Sequence, residues 1–282
     1  MLGLPLALCS SLCWGVSDFV GGLQARTVPL LRVLLISQSF GLECLAVILI
    51  IRGAGPPAFV HVWPAIAAGL AGTAALAAFY RALAIGSMSI VAPISATGVA
   101  VPVVVGIAQG ERPAAIQLAG IVAASIGVVL ASRERSEEPS PADERTTRIT
   151  VLLALIAAAG FGSFFVGLRS ASHYDVLWAL FASRGAGVAA LLVATLIVRP
   201  PRVKERWRLL PLSAVAVLDL GANGLYAVAT RHGLLAEVAV GSSLYPLATV
   251  VLARIVLGER VHRLQEVGIA VAIAGVAMIA AG

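Results

Sequence analysis

Ten apolar runs, at 3–24, 32–51, 62–84, 88–108, 114–131, 149–168, 176–198, 209–230, 236–256 and 264–281, take up almost all of this 282-residue chain. Each is close to the roughly 20 residues that cross a hydrocarbon core about 30 Å thick at about 1.5 Å per residue. In lipid a spanning segment must satisfy its own backbone N–H and C=O groups, so only helices and closed barrels are open to it. The runs lack the apolar–polar alternation of barrel strands, which leaves helices. The expectation is an all-α polytopic membrane protein with about ten transmembrane helices, a multi-pass protein of the cytoplasmic membrane in contact with its lipid. The composition, 60% hydrophobic and 12% charged, leaves no room for a sizeable soluble domain. The first run lacks a basic start and contains Ser10, Ser11, Ser17 and Asp18. It is expected to stay as a span rather than to be removed as a signal peptide.

The 20 basic and 14 acidic residues give a net charge of +6, but the basic residues gather at the ends of apolar runs. Such placement sets membrane topology and does not make a nucleic-acid surface. Aromatic residues, at 6%, are not interleaved with basic stretches as a single-strand binder requires. Counting Arg32, Arg81 and Arg254 with the span ends beside them, fifteen Lys and Arg follow odd-numbered spans and four follow even-numbered ones, which leaves Arg184 within a span; the positive-inside rule then places both termini outside. Cys9, Cys13 and Cys44 all fall in apolar runs and read as small buried hydrophobes rather than disulfide or metal ligands.

One stretch is strongly aqueous: SRERSEEPSPADERTTR at 132–148, with nine charged residues and two prolines. It reads as a flexible linker between a first five-helix repeat at 1–131 and a second at 149–282. A shift of 148 residues lays Gly110-Glu111-Arg112 over Gly258-Glu259-Arg260, and then Gln117, Gly120 and Gly127 over Gln265, Gly268 and Gly275. Nine of the nineteen positions from 110 to 128 are identical under that shift. Two repeats of five helices, an odd number, enter the membrane in opposite senses, which is the inverted duplication of many secondary transporters.

Several motifs then fall in a recognisable order. Trp14-Gly15-x-Ser17-Asp18-Phe19 lies in the first span, Tyr80-Arg81-Ala82-Leu83 closes the third, Val91-Ala92-Pro93-Ile94 lies in the fourth, and the Gly-Glu-Arg tripeptides follow the fourth and ninth. Across the whole chain this resembles the EamA family of the drug/metabolite transporter superfamily. The resemblance implies a ten-helix bundle that exports or exchanges small metabolites, with both termini inside, opposite to the charge count. It also implies a central cavity lined chiefly by helices 1, 3, 4, 6, 8 and 9, with helices 5 and 10 at the periphery. The second half departs from the first: Phe161-Gly162-Ser163-Phe164 has no aspartate opposite Asp18, and Tyr245-Pro246 aligns with neither Pro93 nor Pro102. The two half-sites are therefore chemically unlike.

Ionisable residues within spans are expensive to insert and mark function by default. Asp18 shares a helix face with Trp14 and Ser11 at helical spacing, as a proton-coupling carboxylate or a partner for a cationic solute, with helix packing as the alternative. Asp219, Asn223, Tyr226 and Thr230 form the clearest polar stripe, along the eighth span, readable as a cavity wall or as polar contacts between helices. Arg184 reads as structural, near enough to a helix end to snorkel; Gln38, Ser39 and Glu43 read as a packing patch. Pro93 and Pro102 in the fourth span and Pro246 in the ninth are hinge candidates, because each removes an intrahelical hydrogen bond. Ser95, Ser243 and Tyr245 beside them are candidate contacts for a small-molecule substrate, and Trp14, Tyr80, Phe161 and Phe164 are candidate aromatic walls.

The Gly-Glu-Arg turns are expected to pin helix ends. No Gly-x-x-x-x-Gly-Lys-[Ser/Thr] sequence exists, so an ATP-driven pump is unsupported. The four histidines lie at span ends or in loops, so an intramembrane enzyme lacks its nucleophile–base pair and a metal its cluster. No cofactor is implied. A secondary transporter working by alternating access is the leading expectation; an intramembrane enzyme and a membrane sensor or scaffold are the alternatives. Gly120/Gly127 and Gly268/Gly275 suit close helix packing and offer a surface for a homodimer.

Overall fold

The computed structural model describes residues 2–25, 28–85, 94–95, 97–131, 144–201, 210–257 and 263–281. These residues form helices and no strand. In the first half the helices are α1 (Gly3–Ala25), α2 (Leu30–Arg52), α3 (Phe59–Ile85), α4 (Ala100–Ala108), preceded by a 3₁₀ turn at Thr97–Val99, and α5 (Ala115–Ala131). In the second half they are α6 (Glu144–Ser172), α7 (Val176–Val198), α8 (Pro211–Ala229), α9 (Leu235–Ser242), α10 (Tyr245–Leu257) and α11 (Arg263–Ala281). Six of them, α1, α2, α3, α6, α7 and α8, contain stretches long and apolar enough to cross a membrane. The outer surface is apolar, with Ile50, Ile51, Leu196 and Ile197 largely exposed, as lipid-facing side chains should be.

Local chemistry sets the helix ends. Gly53 ends α2 in the left-handed region at φ 66°, its N–H donating back to the carbonyls of Leu49 and Ile50, a conformation open to glycine at no steric cost. Asp175 caps α7 by accepting from the Trp178 N–H at 3.0 Å. Gln117 reaches back to accept from the Ala114 N–H at 2.7 Å, closing the start of α5. The sixth run is longer than its apolar core suggests: α6 starts at Glu144 and ends at Ser172, because its flanking charged residues continue the helix and no breaker intervenes. The linker residues 132–143, Pro93, Glu259 and the basic loop at 202–208 lie outside the described residues.

The two halves interlock rather than sit side by side. α1 packs along α8 and α3 along α6; α2 meets α7, α4 meets α9, and α5 runs against α11. Exchanging the halves maps the α1–α8 pairing onto α6–α3 and the α2–α7 and α5–α11 pairings onto themselves. Small residues allow the close approaches. A Cβ placed on Gly120 would meet the Gly275 carbonyl at 2.6 Å, and Gly127 and Gly275 abut Ala272 and Ala124. The small-residue faces of α5 and α11 thus meet within one chain.

The second half of the fourth run and the whole ninth run are broken, but not as simple kinks. Pro102 is the third residue of α4 and is buried. The break lies before it, in the 3₁₀ turn, so Pro102 sits in the first helical turn, where a missing N–H costs nothing. In the ninth run α9 stops at Ser242 and α10 begins at Tyr245, with Pro246 second in the new helix. That proline starts a helix rather than bending one. Cys9 also differs from expectation: it is exposed on the outer surface of α1, while Cys13 and Cys44 are partly buried.

Candidate functional site

A cavity of about 180 Å³ lies inside the bundle. Its lining comes from the middle of α1, the start of α2, the later part of α3, Ser95 to Val99, the middle of α6, α7 and α8, and the α9–α10 break. It therefore occupies the central part of the molecule and reaches toward the end where α2 and α8 begin. The second and seventh spans contribute Ser37, Gln38, Ser183, Arg184 and Gly187, beyond the six helices that the family resemblance implies. α5 and α11 contribute nothing to the lining, in keeping with a peripheral position.

The polar centre is built around Asp219 of α8. Arg184 of α7 donates from Nη1 to Asp219 Oδ2 at 2.6 Å, and the same nitrogen donates to Gln38 Oε1 of α2. Trp14 Nε1 and Asn223 Nδ2 each donate to Asp219 Oδ1 at 3.2 Å. Four helices thus converge on one polar cluster, through charge-assisted bonds that are stronger than neutral ones. Arg184 is not a snorkelling residue: its side chain is 7% exposed and is aimed inward, where Asp219 compensates the charge that burial would otherwise penalise. Nothing in the sequence joins this pair, although one signal is present, since Arg184 is a basic residue set well inside an apolar run.

The expected site residues divide into three groups. Trp14, Asp18, Ser95, Asp219, Asn223, Ser243 and Tyr245 line the cavity together. Tyr226 does not: it is fully buried and donates its hydroxyl to the Phe165 carbonyl at 2.9 Å. The side chain of Tyr80 and residue Pro93 lie outside what the structure describes. Asp18 makes no hydrogen bond or ion pair among the described residues, in contrast to Asp219. Ser95 donates to the Ala154 carbonyl at 3.5 Å and Ser243 to Val240 at 2.9 Å, so both hydroxyls have partners on the backbone. Ser39 and Glu43 do not line the cavity, whereas their neighbour Gln38 does.

The opposite wall is apolar. Phe161, Phe164 and Phe165 of α6 face it together with Phe79, Leu76 and Thr73 of α3. Gly72 lets α6 come close, since a Cβ there would meet the Phe164 ring at 2.9 Å. At the floor, Trp14 packs tilted on Phe165 (centroids 5.6 Å apart) and on Tyr226 (6.1 Å), with its edge to Tyr245 (6.4 Å).

Beyond this aromatic floor, the end holding the start of α1 is closed. Glu111, after α4, accepts from Arg169 Nη1 of α6 at 2.6 Å and from the N–H groups of Leu235 and Ala236 at 2.7 and 3.3 Å. The carboxylate neutralises a cation and satisfies the unpaired donors at the start of α9 at the same time. The expectation that Gly-Glu-Arg pins helix ends holds for Glu111 in a specific form: it ties the first half to two helices of the second. Gly3 abuts Gly233 at the same end.

The EamA-like transporter family model matches the chain twice, at 1–133 and 148–281. The chain belongs to the EamA-like transporter family. This EamA-like protein is thus a multi-pass membrane protein of the drug/metabolite transporter type, with the two-repeat organisation of its family. A solved structure, described only as a crystal structure of a protein, is similar to it with a TM-score of 0.80 at 15% identity, covering 98% of this chain and 95% of that one. At that identity the similarity concerns the fold. No curated protein matches the sequence.

Proposed function

We propose that this EamA-like protein is a secondary transporter that moves small metabolites or drugs, chiefly outward, across the cytoplasmic membrane by alternating access. Its ten spans form two inverted five-helix repeats at 1–131 and 149–282, and the last residues of the charged connection at 132–148 belong to the start of α6. The observation that carries this reading is a central cavity, polar on one wall and aromatic on the other, closed at one end by contacts that join the two halves. Symmetric halves give a bundle two equivalent ways to close. Opening the closed end requires Glu111 to release Arg169 and the start of α9, and the aromatic floor to part. The breaks before α4 and α10 are the hinges in this scheme. Asp18 is the carboxylate available for proton coupling, and Asp18→Asn with unchanged transport and pH dependence removes that role.

Purified protein reconstituted into proteoliposomes tests the proposal through solute counterflow. Saturable exchange of a preloaded small solute supports it; leakage-level exchange across amino acids, sugars, nucleobases and cationic drugs overturns it. Orientation is settled separately. In a protein without its native cysteines, a cysteine at Gly55, on the turn joining α2 to α3, is labelled from outside under the charge count and only from inside under the family arrangement.

A further inference from the structure

One ionisable group that lines the cavity has no bonded partner among the described residues. Arg184 and Asp219 neutralise each other, and Trp14 and Asn223 complete the hydrogen bonding of Asp219. Asp18 remains, facing the same cavity with no donor or cation bonded to it among the described residues. With Asp18 ionised the lining carries one negative charge in excess, and a bound cation favours that form. An unpaired charge in a low-dielectric enclosure attracts a counter-ion far more strongly than it would in water. The described residues hold no group of three His, Cys, Asp or Glu able to grip a metal ion, so a bare divalent cation finds too few ligands. What the wall does supply is aromatic: Trp14, Phe164, Phe165 and Tyr245 face the cavity. Ring faces receive ammonium groups and the apolar bodies that carry them.

We propose that the cavity takes an organic monocation, an alkyl- or aryl-ammonium compound, with Asp18 as its counter-ion and the aromatic wall as the seat of its body. Anions are rejected because the one cation among the described lining residues, Arg184, is already engaged by Asp219 and Gln38. Zwitterions are held less well, because their carboxylate finds no free partner. The inference rests on the transporter reading for its physiological sense, but its binding arm stands apart from transport.

The test holds the ring constant and varies the charge. Benzyltrimethylammonium, phenylalanine and 3-phenylpropionate are titrated against purified protein by thermal unfolding, and each is then followed into proteoliposomes. The expected result is saturable stabilisation by benzyltrimethylammonium, with the zwitterion and the anion at least tenfold weaker. Asp18→Asn should lower affinity for the cation at least tenfold and Asp18→Glu should restore most of it; neither removes a native bond, so both should fold. Asp18→Asn combined with Asp219→Asn leaves Arg184 in excess and should turn the preference toward 3-phenylpropionate. Equal binding of all three compounds, binding of none, or a cation affinity within twofold of wild type in Asp18→Asn overturns the inference. Cation binding without counterflow of any solute overturns the transporter reading and leaves the charge preference standing. Counterflow of the anion with exclusion of the cation does the reverse.

Discussion

The two walls of the cavity differ although the halves that supply them share a backbone plan. The wall made by α1, α2, α7 and α8 carries Asp18, Gln38, Arg184, Asp219 and Asn223; the wall made by α3 and α6 carries Thr73, Leu76, Phe79, Phe161 and Phe164. Helices α1 and α6 hold equivalent places in the two halves, yet one presents Trp14 and Asp18 and the other Phe161 and Phe164. The difference separates two requirements. Equivalent closures need only matching helices, whereas recognition of an unsymmetrical solute needs unlike walls, so duplication preserves the first while divergence supplies the second.

The largest effect should come from breaking the polar wall at its centre. Arg184→Met leaves Asp219 largely buried without its cation and should cost about 3 kcal/mol in unfolding experiments in detergent. Adding Asp219→Leu should return most of that loss, since a buried pair is often replaceable by apolar residues; a double variant no more stable than the single one would mean that the carboxylate is not what Arg184 supports. Next is the tie between the halves. Glu111→Ala leaves Arg169 and the start of α9 without their acceptor, and should destabilise by about 2 kcal/mol. Hydrogen exchange at Leu235 and Ala236 should speed up at least tenfold, and unchanged protection there would show that the closed end is held by other contacts.

A smaller effect is expected on the apolar wall. Phe164→Ala should weaken binding of an aromatic solute about tenfold, with a stability cost of about 1–2 kcal/mol, read by ligand-dependent thermal shift. Loss of affinity no larger than twofold would make the aromatic wall a packing surface. Ser243→Ala should do least, below about 0.5 kcal/mol and within twofold in transport, because its hydroxyl already donates to the nearby Val240 carbonyl of α9. A transport defect there would mean that the serine turns toward solute in another state.

The span pattern was legible because Pro, Gly and charge punctuate the apolar runs, and the shift of 148 residues exposed the duplication. The stripe on α8 was also correctly aligned, since Asp219, Asn223 and Tyr226 do share a face. What the stripe lacks is depth: seven residues carry Tyr226 about 10 Å along the axis from Asp219, past the cavity and into its floor. Periodicity reports angle, not where an enclosed space ends. Arg184 and Asp219 stand 35 residues apart on different helices, and no local rule joins them. Participation of α2 and α7 was equally hidden, because their cavity faces are built partly from small residues and serines that read as packing.

The interlocking of the halves has a consequence for how the chain is made. Ser10 and Ser17 of α1 donate to the carbonyls of Ala222 and Val215, partners 212 and 198 residues further on. At about 5–20 residues per second, α1 waits about 10–40 s in the bilayer before those residues exist. Through that interval its polar face, Asp18 included, must be sheltered by something other than its final neighbour, so biosynthesis of this protein depends on what accompanies the nascent chain during insertion.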